Sequence, residues 1–381
     1  MKTARDTLSI FQVNYSFDSR LTDPDELLER YFTLTGWSEG LRTAGAGSVV
    51  VVQRFHRNAR IARHGVDYIF TGANALGVAR TVADAGPDVA HVNALIFPGS
   101  TWLLRRAAPA ATAIVVQNHS PDGAVGRAPW FRLSGRACRS AVDAFLFAAA
   151  EHADPWREAG FISPAQPTYQ VMEASSPLRP VARAAAREAT GMRGSPAVLW
   201  VGRLNANKDP LTVLDGFEHS LAQLPAATLT MIYSTEELLA PVRHRVASAP
   251  ALRARVHLVG AVPRERIAVY FSAADLFVVG SHREGSGYSL MEACACGAVP
   301  VVTDIPTFRL LTGGAAGALW RPGDAAAFAS ALSSVGVRDL QIERAQLADH
   351  FSRALSWEAV GRRALEIYRE VLSRRRSIRS S

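Results

Sequence analysis

LFVVGSHREGSGYSLMEACACGAVPVVTD, residues 276–304, is the stretch whose reading decides the fold. LFVVG is a short apolar run of buried-strand type, SHREGSG has loop composition, YSLMEACA reads as a helix, and Gly297 ends that helix before a second apolar run, VPVVTD. Strand, turn, helix and strand make the local plan of a nucleotide-binding α/β unit. Gly285, Ser286 and Gly287 let the backbone come close to a ligand, and the first N–H groups of the helix point at an anion placed there. A diphosphate fits that position. Glu292 falls about one turn into the helix, where its carboxylate can accept hydrogen bonds from a ligand's hydroxyls, and Glu284 stands at the mouth of the turn. Carboxylates on both flanks of a phosphate pocket suit a nucleotide-sugar, with ribose at one end and a hexose at the other. Spacing alone leaves open the plainer alternative, a helix-face Glu292 and a solvated Glu284, because a single glycine-containing turn is weak evidence.

Working outward, the next informative feature is a lysine. The 42 basic residues include only two lysines, Lys2 and Lys208, a bias that points to genomic composition. Lys208 lies in VLWVGRLNANKDP (198–210), after a strand-like run and before a helix start marked by Asp209 and Pro210. A position that keeps lysine in an arginine-saturated chain calls for a compact point charge on a flexible stem. Arg203, at the end of the strand, aims at the same space. Two cations at a helix N-terminus are unfavourable unless an anion joins them.

The segments GRLNANKDP, VHLVGAVPRERIAVYFSAADLFVVGS, REGSGYSLMEACACGAVPVVTDIP and GGAAGALWRPGD, in this order, resemble the C-terminal half of a retaining glycosyltransferase of family 4 (glycosyltransferase group 1) over roughly residues 195–370. The resemblance implies an α/β protein of the GT-B fold, two doubly wound Rossmann-like domains facing across a cleft. It also implies an enzyme that moves a hexose from a nucleoside-diphosphate sugar to a hydroxyl acceptor, whether glycan, lipid-linked or small molecule. By that resemblance Arg203 and Lys208 bind the donor diphosphate, helped by backbone amides near Gly287, Tyr288 and Ser289. Glu292 would hold the ribose, Glu284 the hydroxyls of the transferred sugar, and the turn at Gly260, Ala261 and Val262 the base. No cofactor and no metal are implied, the nucleotide-sugar being a substrate. Two other readings stay open: a non-catalytic relative that only binds a nucleotide-sugar, and a phosphorylase-like enzyme with Lys208 as a pyridoxal phosphate imine.

In the first half, strands are expected at 8–14, 48–55, 67–72, 88–94, 113–120, 143–149 and 168–175, alternating with helices, which means a parallel sheet covered on both faces. A stretch rich in Pro, Arg and Gly, 175–196, separates the two halves, and the linker is expected within it. The expected division is 1–180 for an acceptor-side domain, 181–355 for the donor domain, and 356–381 for a final amphipathic helix that crosses back, with a basic tail. His119, after AIVVQ, matches the histidine that the resembled family places near the donor sugar, although Ser120 follows where aspartate is common. The family's glycine-rich loop after the first strand is replaced by NYSFDSRLTDPDELLERYF, which leaves the acceptor undefined. Asp23 and Asp25 form an Asp-x-Asp pair, better explained as an N-cap and first-turn acid around Pro24 than as a metal site.

A length of 381 residues allows two domains, and 48% apolar residues mark a globular chain. No run approaches a membrane helix, and the N-terminus lacks the apolar core of a signal peptide, so a cytoplasmic protein is expected. Cys138, Cys294 and Cys296 fit a reducing compartment. The net charge of +8 and the tail SRRRSIRSS are compatible with a frayed terminus, or with peripheral contact to an anionic membrane surface at the inner face. Nucleic acid is a poor third, because no motif with interleaved aromatics accompanies the arginines.

Overall fold

The computed structural model describes residues 7–119 and 128–380. The chain forms two compact units, one made of Met1–Ser175 together with Ser356–Ser381, the other of Ser176–Leu355. In the first unit the strands are β1 (Ser9–Asn14), β2 (Ser48–Arg54), β3 (Ala59–Arg63), β4 (Val66–Thr71), β5 (Val89–Asn93), β6 (Ala113–Gln117), β7 (Ala144–Phe147) and β8 (Thr168–Gln170). They lie in the order β3-β4-β2-β1-β5-β6-β7-β8 and are parallel except for the β3–β4 pair. The second unit holds β9 (Ala197–Gly202), β10 (Thr228–Tyr233), β11 (Val256–Gly260), β12 (Leu276–Val279), β13 (Val299–Thr303) and β14 (Ala318–Trp320), all parallel, in the order β11-β10-β9-β12-β13-β14.

The alternation expected from sequence is present in both units, and its cause is visible in burial. β10, β12 and β13 are buried along their whole lengths, as strands covered by helices on both faces must be, so they read as continuous apolar runs. In the second sheet the strand order reverses between β9 and β12. At such a switch point the loops leaving neighbouring strands diverge and open a crevice at the carboxyl ends.

Three expectations need correction. β3, ARIAR, was not foreseen; it is an antiparallel edge strand joined to β4 through His64 and Gly65, both at positive φ. With two arginines and two alanines among its five residues, such an edge strand escapes an apolar search. The stretch 175–196, within which the linker is expected, also holds a helix that was not foreseen, Arg183–Thr190, ended by left-handed Gly191. Arg183 and Arg187 both pair with Asp275, just ahead of β12, which fastens the helix to the second unit. Finally, the basic tail is not frayed over most of its length. Trp357–Ser380 is one helix, and Arg375 pairs with Asp143 in the first unit.

That last helix is held by shape. Val360, Ala364, Ile367, Tyr368 and Val371 are buried, and the facing helix Phe32–Thr43 presents Gly36 and Gly40. A Cβ on Gly36 would strike the Trp357 ring, one on Gly40 the Trp357 carbonyl, and one on Gly361 the Gly40 carbonyl. Beneath this seam the Tyr368 hydroxyl meets Nδ1 of His91 on β5 at 2.5 Å, and Trp37 packs edge-on against the His91 ring. Burial pushes the His91 pKa down to about 3, so the ring is neutral. Among the described residues no helix is long and apolar enough to cross a membrane. Asp23 caps the helix Pro24–Arg30 by accepting from the Asp25 amide at 3.2 Å, as its sequence context predicts.

Candidate functional site

A cavity of about 400 Å³ opens in the second unit, at the carboxyl ends of β9, β10 and β11. Arg203, Lys208, Glu284, Tyr288, Ser289, Glu292, Ala261 and Val262 line it, so most of the residues singled out from sequence come together. Gly260 and Gly287 stand one residue behind the lining, Gly260 ending β11 and Gly287 capping the helix Tyr288–Ala295. Gly287 has φ +64°, and a Cβ there would lie 2.7 Å from Leu311 Cδ1. Both its backbone conformation and its packing therefore require glycine.

The cationic side is built by two loops laced to each other. The Asn207 side chain donates to the Arg283 carbonyl (3.0 Å) and accepts from the Arg283 amide (3.1 Å), while the His282 amide donates to the Asn207 carbonyl (2.9 Å). Asn205 accepts from the Lys208 amide at 3.1 Å. Asp209 adopts the left-handed region (φ 43°), caps the helix Pro210–Ser220, and takes His282 Nε2 at 3.1 Å. On the other loop, Thr307 Oγ1 donates to the Glu284 carbonyl at 2.7 Å. This lacing brings the ammonium of Lys208 onto the Glu284 carboxylate, with both side chains mostly buried. The anion that the Lys208 position demands is thus supplied by the chain itself. Arg203 lies at the end of β9 and is exposed, with no ion-pair partner among the described residues.

At the other side Glu292, only 6% exposed, is met by Arg264 at 2.7 Å. Burial pushes the Glu292 pKa up and Arg264 pulls it partly back. Arg264 was missed from sequence. In a chain with this much arginine, one more in VPRERI carries no signal; only its place, directly after the Ala261–Val262 turn, could have singled it out. Tyr233 and Ser234, at the end of β10, also line the cavity and were not anticipated. The thiols of Cys294 and Cys296 are pushed up to about 12 by burial and stay neutral.

His119 belongs to the first unit, where its Nδ1 lies 2.7 Å from Oε2 of Glu173. Glu173 is buried and was not noticed in the sequence. Ser120 lies outside the described residues.

Comparison with known proteins follows the same division. Sucrose-phosphate synthase from Thermosynechococcus elongatus superposes with a TM-score of 0.64 at 19% identity, covering 96% of this chain and all of that one (100%). Anabaena HepE in complex with UDP and glucose gives a TM-score of 0.62 at 14% identity, covering 95% and 100%. These likenesses define the fold, which is GT-B with two Rossmann-like units. Residues 195–335 match the family described as glycosyl transferases group 1. D-inositol 3-phosphate glycosyltransferase of Xylanimonas cellulosilytica is 30% identical over 205 residues, 52% of this chain and 48% of that protein. The chain spans about half the length of the first curated relatives it matches.

Proposed function

We propose that the chain is a retaining, metal-independent glycosyltransferase that moves a hexose from a nucleoside-diphosphate sugar to a hydroxyl acceptor. The observation that carries this is the assembly, in one cavity at a sheet switch point, of three cations, a helix N-terminal turn and two carboxylates. Arg203 and Lys208 would take the diphosphate, Ala261 and Val262 the base, Glu292 the ribose, and Glu284 the transferred sugar. The negative charge of the leaving diphosphate grows as the glycosidic bond breaks, so these cations act more strongly on the transition state than on the bound donor. The pairing of Lys208 with Glu284 supports an anion-binding role over an imine-forming one.

The names of the similar proteins support a sugar-nucleotide donor, since HepE was crystallised with UDP and glucose, and a hydroxyl-rich acceptor, since the Xylanimonas relative is named for an inositol phosphate. A thermal-shift series with UDP, GDP, ADP and their sugar conjugates, without added metal, tests the donor reading. One nucleotide series should raise Tm in the wild type and not in Lys208→Ala. No shift from any of them removes the proposal.

A further inference from the structure

Glu292 faces the cavity from the helix Tyr288–Ala295 and is 6% exposed. Burying a carboxylate is unfavourable unless something compensates, and the compensating group is Arg264, on the short 3₁₀ turn Arg264–Arg266 that follows Pro263. The Arg264 side chain is 55% exposed, so the pair is screened by solvent and adds little to folding stability. Its geometry makes sense for ligand binding instead. Arg264 occupies Oε1 of Glu292 at 2.7 Å, which fixes the carboxylate's rotation and leaves its remaining lone pairs for a ligand. In sequence it stands two residues after Val262, and it pairs with Glu292, whereas the Lys208 ammonium is taken by Glu284.

We propose that Arg264 is a positioning residue for the sugar-ring end of the cavity: it clamps Oε1 of Glu292 so that the carboxylate accepts two hydrogen bonds from a vicinal diol, the ribose 2′- and 3′-hydroxyls of a nucleoside diphosphate. This rests on the donor reading above and adds a residue that the family pattern of two spaced glutamates does not contain.

The charge environment makes the role measurable. Burial raises the Glu292 pKa, and Arg264 is the group that opposes it through both its charge and its hydrogen bond. The neighbouring ionisable group on the same helix side is Cys296, whose thiol is neutral; Lys208 and Glu284 neutralise each other across the cavity. A protonated Glu292 would lose acceptor capacity for the diol. Removing Arg264 therefore moves the loss of diol binding to higher pH. An opposite charge in contact favours the ionised carboxylate, so Arg264 keeps Glu292 able to accept at lower pH than burial alone would allow.

The test is calorimetric titration of wild type, Arg264→Ala and Arg264→Lys, from pH 8 to pH 5, with the nucleoside diphosphate that binds best and with inorganic pyrophosphate. For the nucleotide, the ratio of Arg264→Ala to wild-type Kd should widen as pH falls, with Arg264→Lys recovering part of the loss. Pyrophosphate, which lacks the diol, should bind all three alike. A ratio that does not change with pH overturns the positioning role, and so does a pyrophosphate affinity that falls with Arg264, which would make it a phosphate ligand. If no nucleoside diphosphate binds the wild type, the donor reading fails first and takes this proposal with it.

Discussion

Replacing Lys208 with alanine removes one positive charge from the candidate site, with a calculable effect. The ammonium and the Glu284 carboxylate are 15% and 13% exposed at the side chain, so the pair sits where the effective dielectric is well below that of water. A unit charge about 4 Å from a phosphate oxygen contributes roughly 4 kcal/mol at an effective dielectric near 20. Glu284 competes for the same ammonium, which trims that figure, and the share that grows as the diphosphate leaves falls on the transition state. Loss of one such preorganised donor lowers turnover by about 10²–10³-fold. Stability changes too. Stripping a buried carboxylate of its partner costs about 3–5 kcal/mol when burial is complete, and about 1–2 kcal/mol at this partial exposure. That corresponds to a Tm lower by roughly 2–8 °C for a unit of this size. The double variant Lys208→Ala/Glu284→Gln separates the two effects, regaining Tm without turnover. The assay is release of nucleoside diphosphate from the donor that the thermal-shift series selects, with Tm measured on the same preparations. Turnover of Lys208→Ala within about threefold of wild type, or recovered in the double variant, refutes the reasoning.

Two further outcomes follow from packing and burial in the first unit. Gly40→Leu should destabilise by about 1–3 kcal/mol, because its Cβ meets the Trp357 carbonyl, which is backbone and cannot rotate away. Gly99→Ala, whose Cβ meets nothing within 4 Å, should leave Tm unchanged or slightly higher; equal effects in the two variants would argue against the seam. The second concerns pH. His91 has a folded pKa of about 3 against 6.5 when free, so between those values the unfolded chain takes up a proton that the folded one refuses. Its contribution is complete above pH 6.5 and declines as pH falls towards 3, at no more than about 1.4 kcal/mol per pH unit. Urea titrations of His91→Gln between pH 7 and pH 4 should lack that slope; a slope equal to the wild type's would show that His91 is not the titrating group.

The legible parts of the sequence were those where local chemistry and fold agree. LFVVG and VPVVTD announce buried parallel strands because helices cover both faces, and Gly287 announces a left-handed backbone position. β3 was illegible because an edge strand needs no apolar face, and the helix Arg183–Thr190 was overlooked despite its helix-favouring Ala, Arg and Glu because prolines and glycines flank it. At the candidate site the contrast is between residue types. Lys208 could be seen because lysine is rare here, whereas Arg264 vanished among arginines and Glu173 lies 54 residues from the His119 that it holds. Pairings of that range depend on strand order, which a one-dimensional pattern does not contain.

The first unit is assembled from both sides of the second, and this sets a timetable for biosynthesis. When Ser175 has left the ribosome, the groove floored by Gly36 and Gly40 is formed by a chain whose closing helix is still 180 residues from being made. At about 5–20 residues per second the wait is roughly 10–40 s. During that interval the apolar surface awaiting Val360, Ala364 and Ile367 is open to chaperones and to other nascent chains, while the second unit, Ser176–Leu355, can complete its own sheet. The second unit is therefore finished before the first, most of which precedes it in sequence.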